Sequence, residues 1–531
     1  MRRIADFFAS FRAPWLFAVG AAACMAVVAV WWGGLNQDEG WYLYAAQLVR
    51  GGKLPYRDFF FTQGPAMPFV YSVLAPLWGA GSPLHGLLGG RVVTILFGFA
   101  ATAMAVALVR RLVPDERRSL AGFAVFAVLS CNLYHLYFTA IPKTYALGSM
   151  FVMAGFLLML CGLRISSATG PGLLFAAGMS LAFASGTRIS LILILPVAGG
   201  LLLLCFREFR WAFLWFGLGG AVGLFMTYGL FALEPVSLRA LLAAQSYHAA
   251  RGGFDPVFAI GSVSRLLRGY AALCVIGVAA MSLARSTRQS VAVDSAAHLT
   301  MWALSFGFLS VFLLQLSAPF PYDDYQVPVM GMLAVVASAW FAKSRGSGAR
   351  VHVRSAWFAL LAACGMSFTS PLLQEWATYG QDRFWSQKKD KTELAKLREV
   401  AREIECLDPA GKMLLTQDLY LAIETGREVP PGLEMGPFCY FPDWSTDRAR
   451  ELHVLNRELM EELVSSAPCG IAACSGYAFA IAAPSCRETP FSEQKRYFEL
   501  LKKNYELADT EAKFGQNATT LLVLARRKEA K

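Results

Sequence analysis

Charged residues are scarce in this chain of 531 residues, in which Asp, Glu, Lys and Arg together make up only 16%. Water-soluble proteins usually carry about 25% charged residues, and disordered chains combine high net charge with few hydrophobic residues. Hydrophobic residues make up 56% of this sequence. The composition therefore excludes a soluble globular protein, a disordered chain and a fibre.

Acidic residues are especially few in the first part of the chain. Residues 1–374 contain 26 Lys and Arg against 12 Asp and Glu, whereas residues 375–531 contain 22 against 25. The net charge of +11 would suggest a nucleic-acid partner in a soluble protein, but the whole basic excess lies in the apolar part. We therefore expect no nucleic-acid partner, and we interpret the basic residues as markers of membrane topology or as parts of a site.

Sequence motifs for nucleotides and metals are missing from the polar part, residues 375–531. It contains no phosphate-binding glycine loop, no zinc-ligand spacing and no nucleophile elbow, and we expect neither a cofactor nor a metal. One or two disulfides would fit an oxidising compartment. The cysteines available for them are Cys406, Cys439, Cys469, Cys474 and Cys486.

Long apolar runs are abundant between Trp15 and Leu373. A helix needs about 20 apolar residues to cross a hydrocarbon layer of about 30 Å, and the sequence supplies about eleven such runs. They cover residues 15–32, 84–109, 118–138, 142–163, 171–186, 189–205, 211–232, 258–283, 298–318, 325–342 and 355–373. The sequence therefore predicts an α-helical protein that spans the lipid bilayer many times.

Short Arg-rich connections recur at every second gap between these runs, for example Arg110 with Arg111 and Arg285 with Arg288. Basic connections of this kind are typical of cytoplasmic loops. An odd number of spans then places residues 375–531 on the outer side, whereas an even number would reverse that assignment. We predict a multi-pass protein of the cytoplasmic (inner) membrane, with a membrane domain at 1–374, a first outer loop at about 33–83 and an extracytoplasmic domain at 375–531.

The polar domain has the sequence pattern of a small α/β domain. We predict helices at residues 383–405, 448–464 and 491–504, of which the second is amphipathic. The apolar run 412–416 precedes the second helix, and the strand candidates are residues 471–473, 479–482 and 520–524.

The first outer loop contains two adjacent carboxylates, Asp38 and Glu39, at the end of a predicted span. Carboxylates in this place are costly unless they are solvated, paired or functional. One interpretation is structural, in which Asn36 or Asp38 caps a helix that aromatic residues anchor at the membrane surface.

The functional interpretation depends on the neighbours of these carboxylates, because Lys53, Arg57 and Asp58 follow within the same loop. A lipid-linked sugar phosphate presents its headgroup at the membrane surface, and an enzyme that uses it needs cations for the phosphate and a base for the acceptor. The phosphate leaves readily once its charge is stabilised, so that no general acid is required.

The loop motifs resemble those of a known superfamily. They read Asp38-Glu39-Gly40-x-Tyr42, then Gly51-x-x-x-Pro55-Tyr56-x-Asp58-Phe59, then Gln63-x-Pro65. This pattern is similar to the first outer loop of the GT-C superfamily of membrane glycosyltransferases, in particular its protein O-mannosyltransferase and lipid A aminoarabinose transferase branch. The resemblance implies an inverting transfer of a sugar from a polyprenyl-phosphate donor to a lipid, glycan or protein acceptor on the outer face. It also implies that Asp38 is the base or orients the acceptor, with Glu39 in support.

Further candidates for donor binding lie at the outer ends of spans. Relatives often carry an acidic residue near the start of the fourth span, where this sequence has Lys143, which we interpret as a phosphate ligand. Arg188 either binds phosphate or is a structural arginine that reaches to the interface. Tyr325 follows Asp323 and Asp324, two carboxylates that alone make a weak metal site, and the resemblance makes it a candidate for headgroup contact. The predicted donor-binding residues are Lys53, Tyr56, Arg57, Asp58, Lys143, Arg188 and Tyr325.

Two alternatives to an enzyme stay open. A transporter or flippase of a lipid-linked substrate also places charges along its pathway, although the hydropathy pattern shows no repeat of two halves and the candidate charges gather at outer span ends. An inactive relative that binds a polyprenyl lipid without turnover is the other alternative.

Overall fold

The computed structural model describes residues 10–205, 209–249, 253–284, 294–345, 348–370, 372, 391–475, 481–482, 487–488, 490–516 and 518–527. Helices dominate the chain up to residue 372. They are α1 (Arg12–Trp31), α2 (Gln37–Arg50), α3 (Ala66–Val73), α4 (Leu87–Leu112), α5 (Arg118–Ser130), α6 (Leu133–Ala140), α7 (Thr144–Arg164), α8 (Thr169–Thr187), α9 (Ile194–Gly200), α10 (Arg210–Ala232), α11 (Pro235–Ala249), α12 (Pro256–Gly269), α13 (Ala271–Ala284), α14 (Ser295–Leu316), α15 (Val327–Ser344) and α16 (Ala349–Met366).

Each of the predicted apolar runs falls on a helix or on a broken helix within the described ranges. Seven helices there are long and apolar enough to cross a membrane, or up to nine if each of two bent pairs forms one span. The bent pairs are α5 with α6, at 65°, and α12 with α13, at 76°. The runs at 171–186 and 189–205 form α8 and a shorter apolar helix, Ile189–Leu204, and neither belongs to this set. The prediction of a multi-spanning helical protein is therefore confirmed.

The bend between α5 and α6 has a local cause. Asn132 is the N-cap of α6, and its side chain accepts a hydrogen bond from the backbone N–H of His135 at 3.2 Å. The amide of the same side chain donates to the Gly269 carbonyl at 3.0 Å. A buried Asn that both starts a helix and binds a neighbouring segment ends the preceding helix.

The contacts divide the chain into two compact units. Unit 1 comprises Met1–Val30, Thr94–Tyr228 and Phe254–Asp382, and unit 2 comprises Trp31–Val93, Gly229–Gly253 and Arg383–Lys531. The domain boundary predicted at 374/375 lies outside the described residues.

Helices α8 and α10 pack closely in unit 1 through small residues. A Cβ atom on Gly219 would lie 1.9 Å from the Phe175 carbonyl oxygen, and one on Gly223 would lie 2.7 Å from the Ala182 Cβ. The Gly219-x-x-x-Gly223 motif therefore serves helix packing, as is common between membrane spans.

The elements of unit 2 after residue 390 are α17 (Glu393–Leu407), β1 (Leu414–Thr416), α18 (Leu419–Thr425), α19 (Thr446–Glu451), α20 (Arg457–Ser466), β2 (Ile471–Cys474), β3 (Ile481–Ala482), β4 (Arg487–Glu488), α21 (Phe491–Asn504), β5 (Tyr505–Phe514) and β6 (Thr519–Arg526). Four of the strands form a mixed sheet in the order β1-β2-β6-β5. Strands β1 and β2 are parallel, with Leu414 opposite Ile471, and the other neighbours are antiparallel. The predicted α/β character is confirmed.

The single amphipathic helix predicted at 448–464 is wrong. The chain forms α19 and α20 instead, separated by residues 452–456, where His453 has a φ of 56° and Asn456 caps α20. Strand β5 was not predicted. The helix predicted at 383–405 corresponds to α17, although residues 383–390 lie outside the described residues, as do residues 479–480 of one predicted strand.

The cysteines predicted for disulfides carry free thiols where the structure describes them: Cys406, Cys439, Cys469 and Cys474. Cys486 lies outside the described residues.

Candidate functional site

The carboxylate pair lies in the first turn of α2. Asn36 is the N-cap, and its side-chain oxygen accepts from the Asp38 N–H at 3.1 Å. The Glu39 carboxylate in turn accepts from the Asn36 N–H at 2.8 Å. This capping box fixes the start of the helix with Asn36 and Glu39, so that the Asp38 side chain is not needed as the cap.

Helix α2 is held within unit 2 by the C-terminal part of the chain. A Cβ atom on Gly40 would lie 2.4 Å from the Tyr420 backbone nitrogen, so α2 and α18 approach closely. The Tyr44 hydroxyl accepts a hydrogen bond from the Val429 N–H at 2.9 Å. The turn that carries the two carboxylates is therefore rigidly positioned.

Glu39 forms a buried ion pair with Arg91. The Arg91 Nε and Nη2 atoms donate to the two Glu39 oxygens at 2.7 and 2.8 Å, and the side chains are 1% and 0% exposed. Arg91 also donates to the Gly33 and Gly34 carbonyls, each at 2.9 Å. A bidentate pair with its remaining donors satisfied is geometrically specific. Through Arg91, Glu39 therefore links the start of α2 to the backbone of Gly33 and Gly34.

Asp38 differs from Glu39 in its surroundings. It is partly exposed, and its Oδ1 atom accepts a hydrogen bond from the Trp41 indole nitrogen at 3.1 Å. The Trp41 ring stacks on Tyr42, with the ring centroids 3.7 Å apart. A carboxylate in the first turn of a helix is also stabilised by the positive end of the helix dipole. Asp38 is thus an accessible carboxylate that is held in place by its hydrogen bond from the Trp41 ring.

The turn at residues 54–59 holds three of the predicted donor-binding residues. Tyr56 is fully buried at a φ of 66°, and its hydroxyl donates to the Gln63 carbonyl. Asp58 accepts from the Leu54 N–H at 2.7 Å and pairs with Arg57 at 2.8 Å. Burial acts to raise the pKa of Asp58, but the hydrogen bonds from Arg57 and the Leu54 N–H outweigh it, and the pKa lies below its ordinary value. Asp58 is therefore ionised, and Arg57 stays exposed.

Lys53 is exposed, and its charge acts on a buried carboxylate, Glu434. Burial raises the pKa of Glu434 to about 7, against the hydrogen bond from the Gly432 N–H at 2.8 Å and the attraction of Lys53, which lower it. This group therefore titrates near neutral pH.

We expect the stability of the chain to fall as the pH rises from 4.5 to 7. The folded state keeps the Glu434 proton over this window while the unfolded chain, at a pKa of 4.5, loses it, so the folded state binds more protons there. Between pH 5 and pH 7 the loss amounts to about 2 kcal/mol in the free energy of unfolding. Melting curves of the purified full chain at pH 5 and pH 7 measure it. Glu434→Gln should remove this slope, whereas exposed Glu428→Gln should retain it; equal slopes in wild type and Glu434→Gln would contradict the assignment.

Three other predicted residues meet in unit 1 around Tyr145. The Lys143 ammonium lies 3.2 Å from the Asp324 carboxylate and 5.2 Å from the Tyr145 ring centroid, and Lys143 is buried. The Arg188 guanidinium lies 4.3 Å from the Tyr325 ring centroid and 5.4 Å from that of Tyr145. The Asp324 carboxylate also accepts from the Tyr145 hydroxyl at 3.1 Å, and Arg188 lies against both phenol rings. Two cations beside two phenol rings suit an anionic headgroup.

The neighbouring carboxylate, Asp323, lies with Asp324 in one short helical turn, Asp323–Gln326. It accepts from the Tyr134 hydroxyl at 2.6 Å and from the Arg265 Nε atom at 2.9 Å. Since Asp323 and Asp324 each bind protein donors, the pair is not arranged around a shared cation. Among the described residues, no group of three or more His, Cys, Asp and Glu is placed to hold a metal ion.

The predicted residues therefore fall into two sets. Unit 2 contains Asp38, Glu39, Lys53, Tyr56, Arg57 and Asp58, and unit 1 contains Lys143, Arg188 and Tyr325. The sequence reasoning missed Arg91 as the partner of Glu39 and Asp324 as the partner of Lys143. Arg91 carried a usable signal, because a lone arginine inside a predicted span must find a partner.

Comparison with known proteins shows likeness in fold. No family profile matches the sequence, and no curated protein matches it. The ArnT structure from Cupriavidus metallidurans in the apo state superposes with a TM-score of 0.59 at 13% identity, over 96% of this chain and 97% of that one. ArnT bound to undecaprenyl phosphate gives 0.58 at 12% identity, over 97% and 98%. The apo oligosaccharyltransferase from Archaeoglobus fulgidus gives 0.50 at 12% identity, over 97% of this chain and 75% of that one. The chain therefore shares the fold of these ArnT and oligosaccharyltransferase structures.

Proposed function

We propose that this chain is a membrane glycosyltransferase that moves a sugar from a polyprenyl-phosphate donor to an acceptor on the outer face of the inner membrane, with inversion. The observation that carries the proposal is the likeness in fold to ArnT over nearly the whole of both chains, including ArnT bound to undecaprenyl phosphate. The acceptor is a lipid, a glycan or a protein. In this proposal the α/β part, residues 375–531, lies on the outer side.

Asp38 is the base in this reaction. Its carboxylate takes the proton from an acceptor hydroxyl, the hydroxyl oxygen bonds to the anomeric carbon, and the bond from that carbon to the phosphate oxygen breaks. A single displacement inverts the anomeric configuration. The accessible carboxylate and its fixed support from Trp41 favour this role. If the acceptor is itself a phosphate, Asp38 acts mainly by orienting it.

Glu39 has a supporting role, because its carboxylate is buried and both of its oxygens bind Arg91. It is a positioning residue for the turn that carries Asp38.

The donor phosphate is assigned to Lys143 and Arg188, with Tyr325 against the Arg188 guanidinium. Charge-assisted hydrogen bonds to phosphate are the stronger kind, and they also stabilise the charge that develops on the leaving group. The Asp324 carboxylate holds Lys143 in a fixed place before the donor arrives.

Proteoliposomes that contain the purified chain, a membrane extract as the source of acceptor and a polyprenyl-phosphate sugar, radiolabelled in the sugar, test the proposal. A transferase converts the donor to free polyprenyl phosphate with labelled acceptor. Intact donor that changes leaflet without release would instead support a transporter. Bound but unchanged donor would support an inactive relative, and both of these results would overturn the proposal.

Lys143→Gln should raise the donor KM by about tenfold with a smaller effect on kcat, because one charge-assisted contact to the phosphate is lost. Steady-state kinetics with varied donor measure it. Lys391→Gln, which removes an exposed lysine paired with Glu399 at 2.7 Å, is the matched control and should leave the KM unchanged. An unchanged donor KM in Lys143→Gln would remove Lys143 from the phosphate site.

A further inference from the structure

A second group of cations lies in unit 1, away from the residues assigned to transfer. Four arginines line a cavity of about 690 Å³. They come from the last turn of α4, the start of α5 and the last turn of α7, and they are Arg110, Arg111, Arg118 and Arg164. The sequence explains these residues as topology markers, but that role does not require them to converge on one cavity.

The arginines are only partly neutralised by protein groups. Arg118 pairs with Asp115 at 2.7 Å and Arg164 pairs with Asp294, and all four of these side chains are substantially exposed. Exposed ion pairs of this kind contribute little stability and are readily exchanged. Two carboxylates against four guanidinium groups leave an excess of two positive charges at the cavity.

Arg110 is the member whose charge is least satisfied. It makes no hydrogen bond or ion pair with any residue in the described ranges, whereas Arg111 donates to the Ala107 carbonyl at 3.1 Å. The aliphatic part of Arg110 is nevertheless held in place, because a Cβ atom on Gly122 would lie 3.1 Å from its Cγ and Cδ atoms. The aliphatic part of Arg110 is therefore packed, while its guanidinium is available to bind an anion.

The position of the cavity favours the headgroup of an anionic lipid over a free anion. Helices α4 and α7 both qualify as membrane spans, and Arg110, Arg111 and Arg164 stand in their last turns. The end of a spanning helix reaches the lipid headgroups. The other lining residues are apolar: Ala107, Cys161 and Ile165. Basic pockets between spans are typical sites for the headgroups of anionic lipids, and an apolar lining suits an acyl chain better than it suits a free ion.

We propose that this cavity binds the phosphate of an anionic phospholipid, with Arg110, Arg111 and Arg164 as its ligands. The site is separate from the donor site, and its occupancy does not depend on the transfer reaction. Phosphatidylglycerol should bind at least about tenfold more tightly than zwitterionic phosphatidylcholine.

Native mass spectrometry of the purified full chain, titrated with phosphatidylglycerol or phosphatidylcholine, tests the site. Arg110→Gln/Arg111→Gln/Arg164→Gln should abolish the preference for phosphatidylglycerol. The single change Arg110→Gln, which removes no hydrogen bond or ion pair within the described ranges, should weaken it with an unchanged melting temperature. Arg350→Gln/Arg354→Gln removes two exposed arginines from α16 that do not line the cavity, and it should keep the preference.

Two results would overturn the proposal. One is a preference for phosphatidylglycerol that persists in both cavity variants. The other is displacement of phosphatidylglycerol by millimolar inorganic phosphate, which would make the cavity a site for free anions and not for a lipid.

Discussion

Asp38→Asn should lower the rate of sugar transfer by about a thousandfold, because Asn cannot take the acceptor proton. Asn has the same shape as Asp and retains an oxygen that accepts from the Trp41 indole, so the helix start and the fold should be unchanged. The measurement is the initial rate of transfer by purified wild type and variant at saturating donor, together with the melting temperature of each.

The matched control is Asp443→Asn, which makes the same chemical change at an exposed carboxylate of unit 2. It should transfer at the wild-type rate. Activity of Asp38→Asn within about threefold of wild type would contradict its role as the base. A loss confined to the acceptor KM would show that Asp38 orients the acceptor.

Arg91→Met should destabilise the chain by about 3–5 kcal/mol, because it leaves the Glu39 carboxylate buried without its cation. Glu39→Gln should also destabilise, by leaving the Arg91 charge without its counter-ion. Thermal or denaturant unfolding of the purified full chain measures both. In a double-mutant cycle, Glu39→Gln/Arg91→Met should be destabilised by much less than the sum of the two single variants, since it no longer buries either charge.

Arg239→Met is the control for this pair. Arg239 pairs with Glu451 in the same unit, but both side chains are exposed, and an exposed pair contributes little. Its melting temperature should stay near that of wild type. If Arg91→Met melts like Arg239→Met, the buried pair does not hold the start of α2.

The membrane helices could be predicted because the length of an apolar run depends little on tertiary contacts. What the runs did not reveal is where helices break. Asn132 ends one helix and starts the next by binding both the His135 N–H and the Gly269 carbonyl, and the second contact joins residues 137 positions apart. Such contacts leave no periodic pattern in the sequence.

In the polar domain, too, the sequence pattern did not reveal where helices break. The apolar spacing at 448–464 fits one amphipathic helix, but Asn456 caps a new one, in which Met460 and Val464 are buried. Strand β5 was not predicted because its interior is mostly exposed and only Tyr505 and Phe514, at its ends, are buried. An edge strand of this kind lacks the alternation that predicts strands.

In the candidate site, the sequence predicted the carboxylate pair but not the different surroundings of its members. Asp38 and Glu39 are adjacent and chemically alike, and only the Arg91 contact, 52 positions away, separates a buried structural carboxylate from an accessible one. The Lys143–Asp324 pair joins residues 181 positions apart.

The most direct test of the proposed transfer is the stoichiometry of the reaction. Purified chain, donor labelled in both the sugar and the polyprenyl phosphate, and a membrane extract as the source of acceptor are incubated together. We predict one free polyprenyl phosphate for each sugar that reaches an acceptor, with inverted anomeric configuration, and almost no product with Asp38→Asn. Intact donor at the end of the incubation, or equal release by wild type and Asp38→Asn, would contradict the proposal.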